Sequence, residues 1–140
     1  MHISQTRITK TCPEYQIYET LLSLDGKQIL ELGCGKAELT RQITSHGTNR
    51  HITATEVDEI QHRKNMEIDD LPNVNFVLAG SQTIPFPDNH FDVVMMFKSF
   101  HHVPIAMMGQ ALLETRRVLK PGGLAYISEP RFSGEFHDVL

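Results

Sequence analysis

Short apolar runs alternate with stretches of helical spacing along the 140-residue chain. The first run, QILEL at 28–32, stops at Gly33 and reads as a strand. His51 to Val57, rich in β-branched residues, is a second strand. Asn73 to Ala79, Phe91 to Phe97 and Leu124 to Ser128 are the third, fourth and fifth. Residues 13–24 read as a helix that Pro13 opens, with Ile17, Leu21 and Leu24 at helical spacing. Asp25-Gly26 ends it. Leu39 and Ile43, four apart, place a helix over 36–45. Asp58 caps a polar helix through about Ile68. The longest match to a helical period is 104–119, where Ile105, Met108, Leu112, Thr115 and Leu119 share a face. Pro104 suits its first turn, and Pro121-Gly122-Gly123 stops it. The final FSGEFHDVL has no strong pattern.

Strands alternating with helices predict βαβ units and an α/β fold with a doubly wound, mainly parallel sheet. Right-handed crossovers give a Rossmann-like sandwich whose ligand sits beyond the carboxyl ends of the strands. One domain of 1–140 is expected, since domains typically run about 100–150 residues. Repeats and low-complexity tracts are absent from the sequence.

Charge and composition narrow the function classes. Thirteen Lys and Arg stand against 17 Asp and Glu, a formal charge of −4. That balance argues against a general nucleic-acid binder. The sequence has no apolar run long enough to span a bilayer, and its first residues lack the apolar core of a signal peptide. Cys12 and Cys34 form no CxxC pair, so neither a disulfide framework nor a cysteine-based zinc site is expected. A cytoplasmic protein with reduced thiols is the expectation.

Candidate chemistry falls where the predicted strands end. Glu31-Leu32-Gly33-Cys34-Gly35-Lys36 puts two glycines at a sharp strand-to-helix turn, where a ligand can approach the backbone and meet unpaired N–H groups. A plain tight turn would have the same residues, and dinucleotide-binding folds use a related one. Position 38, however, is Glu where the dinucleotide fingerprint has Gly. Glu56 ends the second strand, 21 residues after Gly35, where a carboxylate can accept both hydroxyls of a ribose. Asp58 is better placed as a helix cap; both could also be solvated charges. Ala79-Gly80-Ser81-Gln82 and the stiff Ile84-Pro85-Phe86-Pro87-Asp88 form a loop after strand three. The fourth strand leads through Phe97, Lys98, Ser99 and Phe100 to His101 and His102. His is a natural base near neutral pH, although two adjacent histidines can equally face solvent or bond a carbonyl. No further ligand cluster accompanies them, so no metal site is expected.

With these residues in place, 28–130 resembles the core of the Rossmann-type S-adenosylmethionine-dependent methyltransferases, in particular the ubiquinone/menaquinone-biosynthesis group. ILELGCGKAELT, ATEVDE, IPFPDNHFDVV, FHHVP and ETRRVLKPGG carry the resemblance, in the family's order. It implies S-adenosyl-L-methionine as cofactor. Glu31, Gly33, Cys34 and Gly35 would lie at its methionine end, and Glu56 with Val57 at its ribose. Gly80, Ser81 and Gln82 would edge its adenine, and Phe97 and Lys98 its sulfonium and the substrate mouth. His101 would be the base for a protonated acceptor, facing the pocket in preference to His102.

The sequence departs from that family in two places. Many relatives have Asp where Gly80 stands, to accept the adenine amino group; the Gln82 amide could substitute. The family core also continues for two further strands, about fifty residues, whereas this chain stops about ten residues after strand five. Strand five is then expected to be an exposed edge that invites self-association, directly or through tails carrying Phe132 and Phe136. The fourth strand lacks the Asn-Pro-Pro-Tyr or Asp-Pro-Pro-Tyr run of the amino-group methyltransferases. A small-molecule acceptor is therefore expected, with no nucleic acid and no membrane span. Methyl transfer is the leading reading. A cofactor-binding but inactive module or fragment is the alternative, and an NAD-type oxidoreductase is disfavoured by Glu38.

Overall fold

The computed structural model describes residues 13–97 and 103–128. In chain order the elements are α1 (Glu14–Leu21), β1 (Gln28–Leu32), α2 (Glu38–Ser45), β2 (His51–Glu56) and α3 (Glu59–Asn65), followed by β3 (Val74–Leu78), β4 (Phe91–Phe97), α4 (Ile105–Val118) and β5 (Leu119–Ser128). The five strands form one sheet in the order β3-β2-β1-β4-β5, with every neighbouring pair parallel. The expected α/β doubly wound sheet is therefore present. The strand order reverses direction between β1 and β4, which is where such sheets open a crevice.

β1 and β4 are buried on both faces, so they read as near-continuous apolar runs. Alternate residues serve two cores. Ile29, Val93, Met95 and Phe97 join Tyr18, Leu24, Ile43 and Ile52 on the side of α1 and α2. Leu30, Leu32, Val94 and Met96 join Ile84, Phe91, Ala111 and Val118 on the side of α4.

Several elements differ from the pattern-based expectation, each for a local reason. α1 ends at Leu21, because Leu22 is extended and accepts no further turn. Its buried residue is Tyr18, whereas Leu21 stays 64% exposed. α2 starts at Glu38 instead of 36, because Ala37 takes a left-handed φ of 68°. α3 closes at Asn65, three residues early. The inward face of α4 is Met108, Ala111, Thr115 and Val118; Ile105 and Leu112 of the expected face point outward. Small Ala and Thr let the helix sit close to the sheet, and large apolar side chains alone misplace the face. Pro121-Gly122-Gly123 lies inside β5 and does not precede it. The register there jumps from Phe91–Leu119 to Val93–Leu124. A Cβ at Gly123 would stand 2.9 Å from the Lys120 carbonyl and 3.0 Å from that of Asp92, so only glycine fits this irregularity.

The connection from β3 to β4, residues 79–90, contains no helix. Arg117 of α4 holds it in place. Its guanidinium donates to the carbonyls of Ile84 and Phe86 at 2.8 Å each and pairs with Asp88 at 2.9 Å. Glu114 accepts the Ile84 N–H at 2.9 Å and pairs with Arg117. The Pro-Phe-Pro-Asp run and the Arg-Arg-Val-Leu run thus bond to one another. β5 is an edge of the sheet formed by the described residues, with Leu124 51% exposed.

A second arginine fastens the other face of the sheet. Arg50 is 3% exposed. It donates to both carboxylate oxygens of Glu19 at 2.6 and 2.7 Å, to Asp25 at 2.9 Å and to the Ile43 carbonyl at 2.8 Å. One side chain therefore ties α1, the loop before β1 and the carboxyl end of α2. Truncation leaves the buried Ile43 carbonyl and the partly buried Glu19 carboxylate without their donor, so Arg50→Ala should lower unfolding free energy by about 2–4 kcal/mol. Urea unfolding of the variant against the parent chain checks this, and a loss below about 0.5 kcal/mol would contradict it.

Candidate active site

A cavity of about 640 Å³ opens where β1 to β4 end. Its walls are Leu32, Gly33 and Gly35 after β1, Thr55, Glu56 and Val57 after β2, and Ala79, Gly80, Ser81 and Gln82 after β3. Met96 and Phe97 of β4 and Val103 and Pro104 before α4 complete it. Of the side chains expected from sequence, the cavity brings together those of Glu56, Val57, Ser81, Gln82 and Phe97 with the three glycines Gly33, Gly35 and Gly80. Lys98, His101 and His102 lie outside the described residues.

The glycine turn is pinned to β2. The Thr55 carbonyl accepts the N–H of Gly33 at 2.9 Å and that of Cys34 at 2.8 Å. Gly33 and Gly35 hold φ of 76° and 55°, in the left-handed region where a side chain is strained. Glu56 Oε1 accepts the Gly35 N–H at 2.9 Å, and its Oε2 accepts the Asp58 N–H at 3.1 Å. Asp58 is the α3 cap, accepting from the N–H of Ile60 at 2.9 Å. The spacing of 21 residues is thus a direct contact across the switch point.

Sequence reasoning missed the residue behind this turn. Asn65, 1% exposed, donates Nδ2–H to the Gly35 carbonyl at 2.8 Å, and Gln61 donates to its Oδ1 at 2.9 Å. The only available signal was one Asn in the last turn of a polar helix, which ordinarily marks a frayed end. Thr55, Met96 and Val103 were also missed as cavity walls, since each reads as ordinary strand or loop.

Glu31 has its side chain behind the turn, toward α2, and Cys34 has its thiol against Asn65 of α3; neither lines the cavity. Glu31 is 1% exposed, and its carboxyl accepts the Thr40 hydroxyl. Burial pushes its pKa up to about 7, against the lowering effect of that hydrogen bond. Burial, helped by the charges of Glu31 and Glu56, pushes the Cys34 thiol up to about 12, so it is no nucleophile at neutral pH. On the same face Tyr18, with its hydroxyl unpartnered among the described residues, packs edge-on to Phe97 at 5.6 Å between ring centroids. Burial pushes its pKa up to about 12.

Glu31 gives the fold a pH dependence of definite sign. Its carboxyl ionises more readily unfolded than folded, so stability is complete below the unfolded pKa and is lost as pH rises from about 4.5 through about 7. The difference is on the order of 3 kcal/mol. Glu31→Gln keeps the acceptor for Thr40 and removes the titration. Urea unfolding from pH 5 to 8 should show the variant gaining steadily on the parent chain; parallel curves would refute the assignment.

With the geometry established, comparison with known proteins places the chain. Residues 29–123 match the family model described as a methyltransferase domain. The ubiquinone/menaquinone biosynthesis C-methyltransferase UbiE of Shewanella sediminis is 33% identical over 121 residues, covering 82% of this chain and 46% of that protein. The chain therefore spans about half the length of the curated relatives it matches. A protein of Galdieria sulphuraria described as a sarcosine dimethylglycine methyltransferase shares the fold, with a TM-score of 0.73 at 23% identity, over 84% of this chain and 45% of that one. The cyclase SpnF has a TM-score of 0.71 at 26% identity, over 81% of this chain and 43% of that one. The matched region runs from β1 to the Pro-Gly-Gly irregularity of β5 and takes in the cavity's strand ends, and the chain belongs to the methyltransferase domain family.

Proposed function

We propose that this chain binds S-adenosyl-L-methionine in the strand-end cavity and transfers its methyl group to a small-molecule acceptor. The observation that carries the reading is the double engagement of Glu56. Each carboxylate oxygen already accepts one backbone N–H, which fixes the group at the cavity wall. A carboxylate has about four acceptor positions, so two remain for the vicinal hydroxyls of a ribose. The open space over Gly35, where an added Cβ would meet nothing within 4 Å, suits a ligand lying on the turn.

When bound, S-adenosylmethionine supplies a methyl carbon activated by positive sulfur for in-line displacement. The chain's part is alignment and exclusion of water, and proximity carries much of such a rate. Gly33 and Gly35 offer the turn's backbone to the methionine end, with Glu31 and Cys34 behind it. Gly80, Ser81 and Gln82 border the base. Met96, Phe97 and Val103 form an apolar wall on the β4 side, and Lys98 is the residue proposed for the substrate mouth. His101 is the proposed base for an acceptor that arrives protonated. No described helix is long and apolar enough to cross a membrane; the cytoplasm is the proposed place of the chain.

A second reading, a module that binds the cofactor without transferring methyl, is favoured by one comparison. SpnF is described as a cyclase, so this fold also hosts other chemistry. A methyl-transfer screen with labelled cofactor separates the two readings.

Two measurements test the proposal. Glu56→Ala should weaken S-adenosylhomocysteine binding by about 1.5–3 kcal/mol, the range for hydrogen bonds to a charged group. Unchanged affinity in calorimetry would remove Glu56 from the ribose. The β5 edge of the sheet formed by the described residues, where Leu124 is exposed, is further proposed to bring two copies together. Light scattering of the 140-residue chain should report a dimer or larger species, and a clean monomer at working concentration would defeat that part.

A further inference from the structure

We infer that Asn65, which does not line the cavity, is a positioning residue for cofactor binding: it fixes the Gly35 backbone and, through it, the angle at which the Glu56 carboxylate meets two ribose hydroxyls. The inference rests on the proposed nucleoside site at Glu56.

Asn65 is the one buried residue of α3, an amide where packing alone would favour an apolar side chain. A buried amide is costly unless it is bonded, and here both of its ends are engaged. Nδ2 donates to the Gly35 carbonyl at 2.8 Å and to Cys34 Sγ at 3.5 Å, while Oδ1 accepts from Gln61 Nε2 at 2.9 Å. The bond from Gln61 settles which way the amide points, because it turns the nitrogen toward Gly35. The Gln61 N–H in turn donates to the Asp58 carboxylate at 3.4 Å, and the Asp58 N–H to Glu56 Oε2 at 3.1 Å. Glu56 Oε1 accepts the Gly35 N–H at 2.9 Å. Glu56, Gly35, Asn65, Gln61 and Asp58 thus close a ring of hydrogen bonds, with the ribose carboxylate at one side and Asn65 at the other.

Gly35 is the member of that ring with the least conformational preference of its own. It sits at φ 55°, a region a glycine enters and leaves at little cost. Its N–H and its C=O belong to different peptide planes, so holding the N–H alone leaves the following peptide free to turn. Glu56 holds one plane and Asn65 the other. Without Asn65 the Gly35 N–H can swing, and the Glu56 oxygen bonded to it swings as well. A carboxylate that must take two vicinal hydroxyls at once is sensitive to that swing, whereas a single hydroxyl can follow it. Asn65 therefore governs how strictly the cavity requires both hydroxyls.

The test is calorimetric binding of S-adenosylhomocysteine and of its 2′-deoxy analogue. The wild-type chain should bind the deoxy probe about 10- to 100-fold more weakly, the size of one hydrogen bond to a charged group. Asn65→Leu, similar in size and uncharged, should lose about tenfold for S-adenosylhomocysteine and little for the deoxy probe, so that the ratio between them falls to about threefold or less. Arg50→Ala, which weakens the fold from the other face of the sheet, should keep the wild-type ratio, because a smaller folded fraction weakens both probes alike. An Asn65→Leu chain that keeps the wild-type ratio would overturn the inference while leaving the ribose at Glu56. Should Asn65→Leu not fold, Gln61→Leu decides, since it only frees the amide to turn. A fall in the ratio of about threefold or more then supports the inference, and an unchanged ratio overturns it. A wild-type chain that binds neither probe, or binds both alike, removes the ribose from Glu56 and the inference with it.

Discussion

Everything in the site depends on one junction, the grip of β2 on the turn that follows β1. A strand that must reverse into a helix leaves its last N–H groups without a ladder, and unpaired buried donors are costly. Here the Thr55 carbonyl takes two of them and the Glu56 carboxylate takes the third, at Gly35. Asn65 holds the same turn from behind through the Gly35 carbonyl. The left-handed backbone at Gly33, Gly35 and Ala37 is thus held by three elements and does not rely on its own preference. Since Glu56 both braces the turn and faces the cavity, loss of its carboxylate changes two things at once, and the cavity floor is part of the fold's own wiring.

Two arginines extend the same logic outward. Arg50 secures the end of the sheet opposite the cavity, and Arg117 secures the helix-free connection that carries Gly80 to Gln82 toward β4. Both join carboxylates to backbone carbonyls through the fork geometry that guanidinium provides. The β3–β4 connection has no helix to define its path, so the bonds from Arg117 to Ile84, Phe86 and Asp88 do that job. This gives a physical reason for two separated sequence runs to travel together.

Much of the fold was legible in the sequence, because five apolar runs and their turn residues have a strong period. The glycine turn, Glu56 and the Asp58 cap were legible for the same reason: each is a residue type with few alternatives at its place. Helix faces were less so. In α4 the packing surface is made by Ala111 and Thr115, whose small size matters more than hydrophobicity, and the outward Ile105 and Leu112 obscure it. In β5 the Pro-Gly-Gly run has the composition of a stop but serves as an irregularity within a strand. The roles of Asn65, Arg50 and Arg117 were not legible, since single polar residues reveal their partners only once the chain has folded.

The strand order also has a consequence for how the molecule assembles. β1 pairs with β2, 23 residues further along the chain at Gln28–His51, and with β4, whose Asp92 accepts the Gln28 N–H across 64 residues. Non-local pairings of the second kind close slowly. During synthesis the three-stranded half β3-β2-β1 can therefore form while the far side of β1 is still bare. The cavity straddles that seam, with the glycine turn and Glu56 on the early half and Phe97 on the late one. Most of the cavity wall is built before the rest exists, and the central strand spends that interval as a temporary edge.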